Sequence, residues 1–438
     1  MKKNKKIILV FLLGIALRLY PAIKQPLWLD EIYSLYYASN FSPASILFRL
    51  PDCHPGGFYL ILKGLLALST NSFFLRLVIS AIPQLLGCFL IQKRFKKSLL
   101  TTLFLLNPFL VHYSWQIRMY GLVFLITIAT ISLITLKKFS TKKFIIILFI
   151  ANLISYSFII PTLCLLLYLA YTYQKKWLLV IPLIFVEFLI FKGPQYKSYA
   201  EIASWISPPS FTNTPSVILT SLGFDHDLNS QNYYSIFSSL IFYLIFGIFT
   251  LHCSKKHLLF LFTFTIPLLL TIFASLAFPF LSQHYFFYLF VPNLSLFLPR
   301  FLIPLSLIFY LYLFKFFPSP FLLLILLPFW MKTNSAINFT SFYPPRLPLP
   351  NSQNQLILPP WENLRLKPSF SFNDIKKISS TYDTAQNIDK SLFKSPEHPD
   401  CTILSQYPQV AYIDQNIKSL DLYQKQIKLA LKNCSKSH

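Results

Sequence analysis

One rhythm constrains this chain more than anything else in it. Apolar runs of roughly 15 to 20 residues, the length that crosses a bilayer as a helix, alternate with short Lys/Arg clusters through the first three quarters of the sequence. A soluble core cannot hide that much apolar surface: 55% of the 438 residues are hydrophobic and only 12% are charged. In hydrocarbon a segment must satisfy its own backbone, and a helix does so within one segment. The expected fold is therefore an all-α polytopic membrane protein, with its many Phe and Tyr on lipid-facing surfaces and interfacial belts. A net charge of +24 would draw nucleic acid if it were gathered on one face. Here the cations sit between apolar runs, which is the positive-inside pattern. The partner is the lipid bilayer, and no nucleic acid is called for.

The basic clusters set the sidedness. Residues 1–6 (MKKNKK) and the apolar run from Ile7 to Leu17 resemble a signal peptide, but no small-residue cleavage site follows, so 7–23 reads as an uncleaved first span with a cytoplasmic N-terminus. The clusters at 93–97, 137–143, 175–176 and 255–256 are all cytoplasmic if the spans between them come in even numbers. Between residues 24 and 92 there are two apolar runs, and both crossing would place 93–97 outside. The first is short, opens with Pro55-Gly56-Gly57 and carries Lys63. We place 54–70 as a helix in the outer interface and 73–92 as the second span; two full crossings are the alternative. Spans at 98–116, 119–136, a broken pair of short helices within 144–173, and spans at 177–191, 234–252, 258–277, 301–317 and 319–333 follow. That makes about eleven transmembrane helices, with an interfacial helix in the first external loop. Residues 192–233 form an outer polar loop and 279–300 a Pro-broken, aromatic outer segment. The transmembrane domain covers 1–334. Residues 335–438, Pro-rich and then polar, form a small external C-terminal domain or tail.

The six cysteines show no CxxC or Cys/His metal spacing. Cys88, Cys164 and Cys253 lie in or beside apolar runs as packing residues, and Cys401 and Cys434 can pair if the tail lies in an oxidising compartment.

This topology gathers polar residues on the outer face. Asp30 and Glu31 follow the first span. Asp52 and His54 open the interfacial helix, and Arg76 lies at the outer end of the second span. Gln116, Arg118 and Tyr120 occupy an outer turn, and Arg300 precedes a late span. Acids kept at a membrane boundary are functional candidates; the plain alternative is an Asp30 N-cap with Glu31 in the first turn. Arg and His suit a phosphate, a carboxylate suits removal of a proton from an attacking hydroxyl, and a phosphate held at headgroup level suggests a lipid phosphate. Glu187 stands inside a span, paired structurally or reaching the cavity. Asp225, His226 and Asp227 read more simply as solvated than as a metal site.

Four stretches, WLDEIY (28–33), HPGGFYLILK (54–63), WQIRMYGL (115–122) and LPRFLIPLSL (298–307), occur in the order of motifs in the GT-C superfamily of polyprenyl-phosphate-sugar-dependent glycosyltransferases. The chain resembles in particular the bacterial members related to protein O-mannosyltransferases and lipid A aminoarabinose transferases. The likeness covers roughly residues 7–317, with departures: Gly56 stands for the second Pro of an HPP motif, Gln116 for an acid, and Arg300-Phe301 for Arg-Tyr. The resemblance implies an inverting transfer of sugar from a polyprenyl-phosphate donor to a protein, lipid or glycan acceptor on the outer face of the cell membrane. It implies Asp30 as general base with Glu31 beside it, positioning the acceptor, binding a divalent metal or capping. Arg118, His54, Arg300 and Arg76 become contacts to the donor phosphate, and Tyr120 and Trp28 contacts to substrate. No other cofactor is implied. The competing reading is a transporter or flippase for a lipid-linked sugar; a third is a catalytically inactive homologue acting as a scaffold.

Overall fold

The computed structural model describes residues 2–25, 27, 29–50, 52, 54–95, 98–134, 141–173, 175–192, 210–222, 236–281, 302–316, 355–358 and 409–412. The described part is mostly helical. Helix α1 (Lys2–Lys24) is followed by α2 (Leu29–Asn40), the short α3 (Pro43–Phe48), α4 (Gly56–Leu68) and the long α5 (Ser72–Phe95). Three helical segments, Ile7–Lys24, Ser72–Phe95 and Ile236–Ser254, are long and apolar enough to cross a membrane. They coincide with three of the expected spans.

The 13 residues of α4 reach about 20 Å, short of the ~30 Å hydrocarbon core, a length it shares with the later helix Val180–Lys192. Lys63, which lies on α4, holds the end of α2. Its ammonium donates to the carbonyls of Ala38 (3.0 Å) and Ser39 (3.4 Å), where α2 ends and its last carbonyls lack helical partners.

The run at 98–116 is not one helix. It forms α6 (Ser98–Leu106) and α7 (Pro108–His112), with Asn107 between them in extended conformation (ψ 119°). Pro108 has no N–H, so the Phe104 carbonyl loses its helical donor. Arg18, fully buried in α1, supplies the replacement: its guanidinium donates to the carbonyls of Phe104 (3.3 Å) and Leu105 (2.8 Å) and to Gln84 Oε1 (2.6 Å). Asn107 caps α7 through the Leu110 amide (3.1 Å), and its own amide donates to the Leu222 carbonyl (3.1 Å).

Next come α8 (Tyr120–Ile134), α9 (Thr141–Ile154) and α10 (Ile159–Thr172). The break expected between the last two falls at Ser155, which caps the 3-10 turn Tyr156–Phe158. Helix α11 (Val180–Lys192) is entered through a 3-10 turn and followed by α12 (Thr214–Ser221) and α13 (Ile236–Lys256). Then come α14 (Ile266–Leu281), preceded by a π-turn at Leu261–Thr265, and α15 (Ile303–Phe316). On α13, Ile236, Leu240, Leu244, Ile248 and Leu251 are all exposed, an apolar stripe at helical spacing on a helix long and apolar enough to cross a membrane.

The main core gathers α2, α4, α5, α6, α8 and α15 around Phe58, Leu62, Phe104, Phe124 and Ile303, and a second apolar cluster joins α9, α10 and α11 around Phe144, Leu166 and Trp177. Two four-residue strands, β1 (Gln355–Leu358) and β2 (Gln409–Tyr412), pair in parallel with Gln355 opposite Gln409. They give the C-terminal segment a sheet element that its modest helical pattern did not predict. The first residues of the expected outer segment at 279–300 continue α14 as far as Leu281; the rest of that segment and the expected span at 319–333 lie outside the described residues.

Helix α5 contains a π-turn at Leu77–Ala81, a local widening often found at functional positions. It brings the Ser80 backbone against the start of α8. A Cβ on Gly121 would stand 2.5 Å from Ser80 Cα, so only glycine fits. Gly121→Ala should therefore destabilise the protein by about 1–3 kcal/mol through overpacking, read as a lower melting temperature in detergent. An unchanged melting temperature would mean that the two helices separate at no cost.

Candidate functional site

Helix α2 begins at Leu29, so Asp30 and Glu31 both stand in its first turn, where the helix dipole favours acids. Asp30 is thus inside the helix rather than at its cap. The two acids then diverge. Glu31 is fully buried and Asp30 is partly exposed.

Glu31 meets Arg76 in a bidentate ion pair, Nε to Oε1 at 2.9 Å and Nη2 to Oε2 at 2.7 Å. Glu31 Oε1 also accepts from the Ile117 amide at 2.8 Å. Arg76 Nη1 donates to the carbonyls of Ala22 (3.0 Å) and Gln25 (2.8 Å), and its guanidinium lies 5.4 Å from the centre of the Trp115 ring. This one pair ties together the end of α1, the start of α2, the π-turn region of α5 and the turn before α8. The structure thus gives an architectural task to two residues expected as an acidic neighbour and a phosphate contact.

Arg118 lies in that same turn, 3% exposed. The turn is held by Ser80, whose hydroxyl donates to the carbonyls of Gln116 and Arg118. Arg118 Nη1 reaches the Asp30 carbonyl (3.2 Å), Ser34 Oγ (2.8 Å) and Tyr59 Oη (3.4 Å). Ser34 accepts from Arg118 while donating to the Asp30 carbonyl at 2.7 Å. Tyr59 donates to the Asp52 carboxylate, so a polar chain runs from Asp52 through Tyr59 and Arg118 to the first turn of α2. Ser34 and Tyr59 were not singled out from sequence. Their signals were local: Ser34 is one helical turn beyond Asp30, and Tyr59 belongs to the same stretch as His54.

His54 is buried (1% exposed) just before Pro55, which stands at the N-cap of α4. Gly56 has a packing reason. A Cβ on Gly56 would lie 2.9 Å from the carbonyl carbon of Ile46 in α3, so α4 starts in contact with a neighbouring backbone. Tyr120 is buried in the core, its ring edge-on to Tyr113 at 4.7 Å, rather than spread along an interface. Gln116 pairs with His112, Nε2 to Nε2 at 3.1 Å. Trp28 and Arg300 lie outside the described residues, as do Asp225, His226 and Asp227. Cys88, Cys164 and Cys253 are buried. Among the described residues no three His, Cys, Asp or Glu side chains converge as a metal site.

The structure therefore brings Asp30, Glu31, Asp52, Arg76 and Arg118 into one connected corner, with His54 in the adjoining segment. Chemically, the corner offers a partly exposed acid whose backbone carbonyl accepts from a guanidinium oriented by three oxygens. Compared with protein-family models, curated proteins and solved structures, the chain matches none. What the fold itself defines is a helical protein whose long apolar helices are those of a membrane protein.

Proposed function

We propose that this protein is an inverting membrane glycosyltransferase that takes a sugar from a polyprenyl-phosphate donor and attaches it to a hydroxyl of a protein, lipid or glycan acceptor. The observation that carries the reading is the placement of Arg118 against the first turn of α2, with Nη1 3.2 Å from the carbonyl of Asp30. Transfer from a lipid phosphate needs a base for the incoming hydroxyl and a fixed cation for the charge developing on the leaving phosphate. Asp30 supplies the first and Arg118 the second. His54 and Arg300 are proposed as further phosphate contacts, and Trp28 and Tyr120 as contacts to the sugar or lipid. Glu31 and Arg76 hold the corner in shape and act through position.

In this reading the chain crosses the membrane about eleven times. The N-terminus is cytoplasmic and the Asp30–Arg118 corner lies at the outer surface of the cell membrane, with 335–438 on the same side. The order of the four motif-like stretches, the short α4 and the basic clusters support it.

The test uses purified full-length protein, radiolabelled polyprenyl-phosphate sugars and a membrane extract as the source of acceptor. The expected result is release of polyprenyl phosphate with label passing to an acceptor, above a heat-inactivated control. Absence of release with every sugar donor offered would overturn the proposal.

A further inference from the structure

Hydroxyls inside the helices of this chain, such as those of Thr102, Thr127, Thr271 and Ser306, bond back to the carbonyl four residues earlier, the ordinary habit of Ser and Thr in a helix. Ser80 does not. It stands fully buried in the π-turn of α5 and reaches across to another segment, donating to the Gln116 carbonyl and, at 3.0 Å, to that of Arg118. A hydroxyl has one proton, so the two carbonyls share it and are drawn toward one point. The Arg118 amide donates to the Gln116 carbonyl at 2.8 Å, which closes a three-residue γ-turn, and the Ile117 amide is taken by Glu31. One turn further along α5, Gln84 donates to the Leu110 carbonyl at 2.8 Å, near the end of α7. The irregular backbone that carries Arg118 is thus held from outside, by side chains of α2 and α5.

We propose that Ser80 is the positioning residue for Arg118: by fixing the carbonyls on either side of Ile117, it sets where the guanidinium points. The inference rests on the transfer reaction proposed above. An arginine side chain is long and rotamer-rich, so its aim depends on the backbone from which it starts. Nη1 keeps its place among the Asp30 carbonyl, Ser34 Oγ and Tyr59 Oη only while the turn keeps its shape. A cation stabilises charge on a leaving phosphate best when it is already in place, and misplacement by about 1 Å can cost about 10²-fold. Ser80 acts through Arg118 and makes no contact with the substrate.

The test compares Ser80→Ala, Ser80→Cys and Gln84→Leu with wild type, as full-length proteins in nanodiscs, in two assays. Hydrogen exchange reads the turn without any reaction. Peptides covering 113–120 are expected to exchange about tenfold faster in Ser80→Ala, with Ser80→Cys intermediate because a thiol is a weak donor. In the transfer assay, Ser80→Ala should lower kcat by about 10–10²-fold and raise the inhibition constant of added polyprenyl phosphate about tenfold. The acceptor KM should stay as in wild type, and Ser80→Cys should recover part of both losses. A purely structural defect reduces the folded fraction, which scales kcat and leaves the inhibition constant unchanged. Gln84→Leu removes bonds to Leu110 and Arg18 but none to 116–118, and should show that pattern. If Ser80→Ala does not fold, Ser80→Cys carries the same readouts with a smaller change in the same direction. No transfer by wild type would overturn the reaction and, with it, the role given to Ser80. An active wild type with the inhibition constant unmoved in the Ser80 variants, or moved equally in Gln84→Leu, would overturn the role of Ser80 alone. Unchanged exchange at 113–120 would overturn it as well, since the turn would then not need the hydroxyl.

Discussion

Asp30→Asn is expected to lower kcat/KM for sugar transfer by about 10²–10⁴, the usual contribution of a positioned general base, while leaving the melting temperature within about 2 °C, since a surface-accessible substitution of like shape costs little. The asparagine keeps the backbone carbonyl that accepts from Arg118 and Ser34, so the corner should keep its geometry and lose only the proposed base. Asp30→Glu moves the carboxylate by one methylene, and an intermediate rate is expected from misplacement alone. The paired measurement is a steady-state transfer assay with a thermal melt on the same preparations. A variant with full activity would remove Asp30 from the reaction. A variant that melts far lower would make its role structural.

Arg76→Ala should destabilise the fold by about 3–5 kcal/mol, because it leaves Glu31 as a buried charge without its counter-ion. Glu31→Ala should cost a similar amount through the converse loss. The double variant should cost less than the sum of the two, since removing both charges relieves the desolvation that either alone leaves behind. Reversible unfolding in mixed micelles, run as a double-mutant cycle, measures this directly. The expected coupling also distinguishes architecture from chemistry. If the pair only holds the corner, a Glu31→Gln, Arg76→Met protein that still folds should transfer sugar at a rate limited by how well the corner keeps its shape. Additive losses in the cycle would contradict the pairing of the two residues.

Local features of the sequence carried much of the fold. Hydropathy marked the first span, α5 and α13, because length and apolarity are properties of one segment. Turn chemistry marked the break at Ser155, and the Pro-Gly-Gly opening marked where α4 begins. The division of 98–116 into α6 and α7 was also written locally, in Asn107-Pro108. It was outweighed by an apolar run long enough to cross, and the residue that makes the break tolerable, Arg18, lies nearly ninety positions away. For the same reason the site was legible as a set of residue types and not as a set of partners. Charge parity led to the expectation that Asp30, Glu31, Arg76 and Arg118 share one face, and they do lie together. Which acid meets which arginine depends on the crossing of α1, α2 and α5, and no spacing encodes that. Tyr59 and Ser34 were hidden by their chemistry: a tyrosine and a serine on helices beside a membrane are ordinary until an arginine is found between them.

The central claim is that the corner formed by Asp30 and Arg118 transfers a sugar rather than moving a lipid. The most direct measurement follows both fates of the donor at once, in proteoliposomes with labelled polyprenyl-phosphate sugar and acceptor on the side that bears the corner. The expected result is one polyprenyl phosphate released for each label gained by the acceptor, with both lost in Asp30→Asn. Intact donor crossing the bilayer without release, or equal release by wild type and Asp30→Asn, would contradict it.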